Sequence, residues 1–320
     1  MVYELVLWIG VLVVSLAILA KSSDYFTDSA EVIGNFFKLP AFIIGVTIVA
    51  IGTSLPELVS SLFAVFNGAS EIVVGNVIGS NITNIFLVLG ITAILSKKIT
   101  ILHELVRVDL PLLVGSAFLF AFTIWDGLFS LPEALLFIFG VIFYLVYTMS
   151  TQEEHKDISV EKKIRKDLQK EKLSSKTWGI FIISSIFIFI GAKYTINSVI
   201  QLSELLNLGT EIIAISAVAL GTSLPELMVS ITAARKGKAE IAVGNILGSN
   251  IFNTFAVMGI PALFGVLIIP QSILSFGLPL MLAATLLYFF ITQDNEITKW
   301  EGWMLIMFYA FFVIKLFNLA

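Results

Sequence analysis

"AIGTSLPELVSS", Ala50 to Ser61, lies inside an apolar run, and "ALGTSLPELMVS", Ala219 to Ser230, nearly repeats it. Each copy sets a glycine, two hydroxyls, a proline and a carboxylate where an apolar helix would be unbroken. Pro56 has no N–H, so the carbonyl of Gly52 loses its helical donor, and Pro225 does the same to Gly221. An unpaired carbonyl facing hydrocarbon costs several kcal/mol, so irregular backbone at that depth needs protein, water or an ion beside it.

Composition identifies the solvent. Of 320 residues, 58% are hydrophobic and 13% charged, far from a soluble domain. Apolar stretches long enough to cross a bilayer predict ten spans, near 2–22, 38–66, 70–94, 105–124, 130–149, 176–200, 207–234, 239–265, 271–292 and 299–318. The first lacks the basic flank and small-residue cleavage site of a signal peptide. Cysteine is absent, so disulfides are excluded. The expected fold class is an all-α integral membrane protein. Residues 1–149 form a first five-helix repeat, 150–175 a charged linker and 176–320 a second five-helix repeat.

Lysine and arginine set the orientation. The linker is rich in both, and Lys38, Lys97, Lys98, Arg107, Arg235, Lys236, Lys238 and Lys299 fall in alternate connections on its side. The opposite connections, around Asn67–Ser70, Asp126, Glu204 and Pro270, hold neither residue type. The linker is therefore expected in the cytoplasm and both termini outside a cell membrane. Asp24, Asp28 and Glu31 read as carboxylates wetted at the interface, and Lys21 and Lys193 as snorkelling cations.

A shift of 169 positions lays Ile43–Ile91 on Ile212–Ile260 without a gap, with 28 of 49 positions identical. The match places "GNVIGSNITN" (Gly75–Asn84) on "GNILGSNIFN" (Gly244–Asn253). Shared apolar composition would match leucines and valines, not Asn, Ser, Glu and Pro in register. Five spans per half is an odd number, so the second copy enters from the opposite side with its helix broken at the midplane. That is the pattern of secondary transporters. The repeats proper cover 41–91 and 210–260.

Glu57 and Glu226 are expensive in a membrane, by at least roughly 2.5 kcal/mol each on insertion scales. Facing each other, they would either share a proton or hold a cation. With the Thr53 and Thr222 backbone oxygens they make an all-oxygen site of about −2 charge, which suits Ca²⁺ better than Mg²⁺. Ser80 and Asn84 share a helix face, as do Ser249 and Asn253, and their neutral oxygens suit weakly held Na⁺. Gly75, Gly79, Gly244 and Gly248 read as packing residues. Asn76, Asn81, Asn245 and Asn250 either tie helices together or touch ions. His103 and His155 lack companion ligands.

The paired "GTSLPEL…GN-x-x-GSN" repeats resemble the α-repeats of the Ca²⁺/cation antiporter superfamily, specifically the prokaryotic sodium/calcium exchangers. The resemblance implies a central Ca²⁺ site of Glu57 and Glu226 with the Thr53 and Thr222 carbonyls. It implies flanking Na⁺ sites at Ser54, Ser80 and the Ala50 carbonyl, and at Ser223, Ser249 and the Ala219 carbonyl. Asn84 and Asn253 would line the middle, and the long first and sixth helices would slide to alternate access. Potassium-dependent relatives, and some other archaeal and bacterial members, carry an acid where this chain has Asn253, which weakens the case for K⁺ cotransport. Ca²⁺ and Na⁺ are then transported ions, with no organic cofactor and with lipid as the surrounding partner; a monomer would suffice.

The competing expectations are H⁺/Ca²⁺ or K⁺-assisted antiport through the same acids, and a passive cation channel. Enzymatic chemistry has no nucleophile–base set to support it. Nucleic-acid binding has no basic surface.

Overall fold

The computed structural model describes residues 2–96, 98–100, 109–150, 174–205, 223–294 and 296–319. Among the described residues, helices lie in the predicted apolar spans: α1 (Val2–Phe36), α2 (Ala41–Phe66), α3 (Glu71–Ser96), α4 (Asp109–Thr123), α5 (Leu131–Ser150) and α6 (Ser175–Leu205), then α7 (Leu224–Arg235), α8 (Ala239–Ala262), α9 (Ile273–Ile291) and α10 (Lys299–Leu319). Seven of them, α1, α2, α3, α5, α6, α8 and α9, are long and apolar enough to cross a membrane by length and composition. The chain is a multi-pass, helical membrane protein. The linker 150–175 and the stretch leading into α7 fall largely outside the described residues, as do His103, Arg107 and His155.

Two expectations change. Hydropathy ended the first span near residue 22, yet α1 continues to Phe36. It does so because Ser23, Phe26, Thr27, Ala30 and Ile33 recur at helical spacing and are almost wholly buried. Nor is Pro56 a break: α2 stays helical from Ala50 to Phe66 with the proline inside it. The irregularity lies at least two turns earlier, in a π-helical turn at Gly45–Val49. In the second copy Pro225 opens α7, a position where its missing N–H has no intrahelical partner to lose.

The 169-residue correspondence extends well beyond the segment where identity is visible. Turns α2–α3 and α7–α8 close on Gly68 and Gly237, at φ 74° and 73°, a left-handed backbone that glycine adopts without strain. The π turns of α3 and α8 begin at Asn84 and Asn253, each the other's counterpart. Four short strands complete the pattern: β1 (Lys98–Thr100), β2 (Leu128–Phe129), β3 (Leu267–Ile268) and β4 (Glu296–Thr298). Antiparallel β1 and β4 pair Ile99 with Ile297, while β2 and β3 pair Leu128 with Ile268. The offset carries Leu128 to Ile297 and Ile99 to Ile268, so one ladder maps onto the other pair by pair. Short connections join β3 and β4 to the two ends of α9, a helix of 19 residues and roughly 28 Å, so the ladders sit at opposite ends of that helix.

Packing follows the same correspondence. A Cβ on Gly90 would lie 3.0 Å from Ile306 of α10, and one on Gly259 would lie 3.1 Å from Phe137 of α5, which is Ile306's counterpart. The tightest crossing is α2 on α8. There a Cβ on Gly45 would lie 2.3 Å from the Ile241 carbonyl, and one on Gly248 would lie 2.3 Å from the Val46 carbonyl. Small residues let the two backbones touch, which is how apolar helices gain contact in lipid. The α2–α5 and α8–α10 segments share one core, centred on residues such as Phe86, Phe137, Ile246 and Tyr288.

Helices α1 and α6 pack chiefly on each other. Gly191 sits against Leu19, and Thr195 donates to Ser15 at 3.0 Å. A smaller apolar cluster, including Leu19, Phe26, Ile44, Ile188 and Val229, joins this pair to the rest. Phe26 covers Gly52 and stacks on Phe181 at 4.8 Å between centroids. At the end of α1 the carboxylates are partly exposed to solvent, as expected, and are also paired. Lys236 reaches Asp28 at 2.9 Å and Asp24 at 3.6 Å, and Lys238 pairs with Asp28 and Glu31.

Candidate cation site

The "GTSLPEL" copies place Glu57 on α2 and Glu226 in the first turn of α7, 1% and 0% exposed. Ser54 stands three residues before Glu57 on the same helical face and donates to Glu226 Oε1 at 3.1 Å. That bond brings the two carboxylate helices together. Glu226 also lies at the positive end of its helix, where a carboxylate is favoured.

Buried polar atoms with no hydrogen-bond partner among the described residues include both oxygens of Glu57, Glu226 Oε2, Ser223 Oγ, Ser249 Oγ, and the side-chain amides of Asn84 and Asn253. Buried polar atoms are normally satisfied, and an unpaired one costs about 1–3 kcal/mol. Most of these atoms are oxygens, every one belongs to a residue singled out from the sequence, and they come from α2, α3, α7, α8 and the turn before α7. The chemistry is that of hard-cation ligands: carboxylate, hydroxyl and amide oxygens in number, with no nitrogen or sulfur donor among them required. Among the described residues no group of three His, Cys, Asp or Glu assembles, and four of these six residues are neutral.

Of the expected ligands, Ala50, Thr53, Ser54, Glu57, Ser80, Asn84, Ser223, Glu226, Ser249 and Asn253 are described and all are buried. Thr222 and Ala219 lie outside the described residues. The π turns starting at Asn84 and Asn253 widen α3 and α8 just where those amides project, a frequent association of π turns with functional sites.

The asparagines left undecided by sequence divide by role. Asn81 donates to the Asn250 carbonyl at 3.4 Å and to Thr254 at 3.1 Å, so counterpart residues of α3 and α8 meet. Asn76 donates to Ser61 at 3.1 Å and to the Glu57 carbonyl at 3.3 Å. Asn245 donates to Ser230 at 3.0 Å, the counterpart contact, and accepts from Thr53 at 3.1 Å. The retained Ser61 and Ser230, fifteen residues before each Asn, were the signal available in the sequence. A further carboxylate escaped the sequence reading: Asp109, buried in the first turn of α4.

With this geometry in view, comparison with known proteins is decisive. Residues 7–150 and 176–318 match the family described as sodium/calcium exchanger protein. The chain belongs to that family. It is 37% identical over 342 residues to the sodium/calcium exchanger MaX1 of Methanosarcina acetivorans, covering 96% of this chain and 97% of the relative. It is 31% identical over 257 residues to the inner membrane protein YrbG of Escherichia coli, covering 79% of each. Crystals of the sodium-calcium exchanger NCX_Mj soaked with Na⁺ and Sr²⁺ give a structure with a TM-score of 0.81 and 29% identity, over 96% of this chain and 98% of that one. The chain is a prokaryotic sodium/calcium exchanger of the Ca²⁺/cation antiporter superfamily, and its relatives are transporters and exchangers.

Proposed function

We propose that this exchanger moves Ca²⁺ against Na⁺ by alternating access, through one central site built from both repeats. The observation that carries the reading is the set of buried, unpartnered oxygens on Glu57, Glu226 and the serines and asparagines of both repeat motifs. Ca²⁺ would take both carboxylates with the Thr53 and Thr222 carbonyls. Na⁺ would take Ser54, Ser80 and the Ala50 carbonyl on one flank, and Ser223, Ser249 and the Ala219 carbonyl on the other. Asn84 and Asn253 would line the middle. Two carboxylates without a cation make a poor occluded state, whereas one Ca²⁺ or several Na⁺ neutralise them. Either load lowers the barrier to reorientation, which yields exchange rather than one-way flux.

The chain would cross the membrane ten times as two inverted five-helix repeats. The paired ladders at opposite ends of α9, exchanged by the 169-residue offset, support this reading: a two-fold relation that swaps the ends of a spanning helix runs in the membrane plane. The linker faces the cytoplasm and both termini face outside, following the distribution of lysine and arginine. The long α1–α6 pair, joined to the rest by a smaller apolar cluster, is the element that moves.

Radiolabelled Ca²⁺ uptake into proteoliposomes under Na⁺, K⁺ or H⁺ gradients, imposed singly, tests the reading. Uptake driven by Na⁺ with pH clamped supports it. Uptake driven only by H⁺ assigns the same acids to proton exchange, and flux needing no counter-ion makes the protein a channel.

A further inference from the structure

An elongated apolar groove of about 530 Å³ runs along the seam between the α1–α6 pair and α2. Ile43, Thr47, Ile51 and Leu55 form its wall on α2, each four residues after the last and so on one helical face, over about 18 Å. That length is close to the roughly 15 Å of hydrocarbon in one leaflet. Phe37 closes the groove from the end of α1, and Trp178 and Phe181 from the first turns of α6. Thr47 turns its hydroxyl onto the Ile43 carbonyl at 2.6 Å, which satisfies the polar group of that stripe. An apolar groove of this kind stays dry, and beside a bilayer it takes hydrocarbon. A helix about 10 Å wide would need roughly 1,400 Å³ over that length, so the groove suits a single extended chain.

The groove ends among cations. Leu19 meets Gly191 and Phe26 meets Phe181, so the helices run antiparallel and the end of α1 lies with the start of α6. There Lys38 directly follows Phe37, and Lys176 stands two residues before Trp178. Both lysines are exposed, and among the described residues neither has a carboxylate partner. Lys236 and Lys238, by contrast, are taken up by the acids of α1. Trp178, 40% exposed, stands at the mouth, and tryptophan favours the level of lipid headgroups. The 169-residue offset carries Lys38, Lys176 and Trp178 to Asn207, Leu7 and Ile9, so the charged mouth belongs to one side of the molecule only.

We propose that this seam is a binding site for an anionic phospholipid of the leaflet on the linker side. One acyl chain lies in the groove along α2, and the phosphate is held by Lys38 and Lys176. Basic pockets between membrane helices recognise anionic headgroups in this way. A zwitterionic lipid offers the same chain but no net charge to the lysines, so it binds more weakly.

The test is native mass spectrometry of delipidated full-length protein in detergent, titrated with phosphatidylglycerol or with phosphatidylcholine of the same chain length. The wild-type protein is expected to retain one phosphatidylglycerol at least about fivefold more tightly than phosphatidylcholine. Lys38→Asn, which suits the left-handed backbone at φ 60°, and Lys176→Gln should each weaken phosphatidylglycerol about fivefold and leave phosphatidylcholine unchanged. Lys299→Gln removes a lysine that lies over Trp300 outside the groove, and it should change neither. Phosphatidylglycerol brominated along its chain, added at one per protein, should quench tryptophan fluorescence, and Trp178→Phe should remove most of that quenching. Equal affinity for the two lipids overturns the proposal, as does an equal loss in Lys299→Gln, which would mark a diffuse attraction to charge. Competition by free glycerol phosphate would show that the groove contributes nothing, and quenching that survives Trp178→Phe would place the lipid elsewhere; either overturns it. If Lys38→Asn fails to fold, Lys176→Gln decides: undiminished phosphatidylglycerol binding in that variant overturns the site. Binding is read without ion flux, so its outcome is independent of which cations are exchanged.

Discussion

The ion-site core and the rim of this molecule obey different rules. In the core a shift of 169 residues carries turns, π turns, strand ladders and helix crossings onto their counterparts. At the rim the correspondence ends. Lys236 and Lys238 hold Asp24, Asp28 and Glu31 of α1, but their counterparts are Asn67 and Ala69, and the three acids map onto Lys193, Asn197 and Ile200. Nothing at those positions could form an equivalent clamp. A site that must be offered alternately to two faces gains from matched halves, because equal packing keeps its two states close in energy. Elements outside the site are free to bias one state, since a few kcal/mol separates the populations of such conformers.

The largest expected effect comes from removing charge from either half of the core. Glu57→Gln and Glu226→Gln should each abolish Ca²⁺ flux in proteoliposomes, because a single carboxylate leaves a divalent cation half-neutralised in a buried site. Near-normal flux in either variant would break both the site assignment and the equivalence of the two halves. Next comes the crossing of α2 and α8. Gly248→Leu forces side-chain atoms into the space of the Val46 carbonyl and the Ala50 Cβ. Overpacking typically costs about 1–3 kcal/mol, and a backbone obstacle cannot move aside as a side chain can. The expected outcome is a sharp fall in monodisperse protein on size exclusion and a lowered melting temperature.

Ser61→Ala and Ser230→Ala sharpen the comparison with a smaller effect. Each removes the partner of a counterpart Asn, and the stranded amide donor costs about 1–3 kcal/mol. The larger destabilisation in thermal melts is expected for Ser230→Ala. Asn76 has a second acceptor in the Glu57 carbonyl, so a clearly larger loss for Ser230→Ala would show how far that bond compensates.

Much of this organisation was legible before any coordinates. A duplicated Gly-Thr-Ser-Leu-Pro-Glu segment inside apolar sequence points to a polar site in lipid, because Glu57 and Glu226 have no other inexpensive place to be. Less legible was anything decided by contact. Hydropathy ended α1 near Lys21, since nothing local reveals that Phe26, Thr27 and Ala30 are buried or that lysines 205 or more positions away hold Asp28 and Glu31. Pro56 suggested a break because proline removes a donor; α2 absorbs the loss within a continuous helix and places its irregular turn at Gly45–Val49 instead. Asn84 looked like a ligand by its spacing from Ser80, while the π turn that presents it leaves no mark in a 3.6-residue pattern.

The smallest predicted effect tests the rim. The Asp28 side chain is 55% exposed and that of Lys236 is 26% exposed, so the pairs are partly screened and each contributes about 0–1 kcal/mol. Their position gives them leverage, because they join α1, the proposed moving element, to the α7–α8 turn on one face only. Lys236→Gln and Asp28→Asn should leave the melting temperature nearly unchanged. They should alter the ratio of half-saturating Ca²⁺ concentrations at the two membrane faces by about two- to fivefold, since about 1 kcal/mol is a factor of roughly 5 in an equilibrium. Raising the ionic strength should move the wild-type ratio in the same direction, as charges at this exposure are screened within about 10 Å at 0.1 M salt. The variants should respond less to salt than the wild type, having already lost the contact that salt weakens. A ratio indifferent to both mutation and salt would place the bias between the two states inside the core, where the halves look alike.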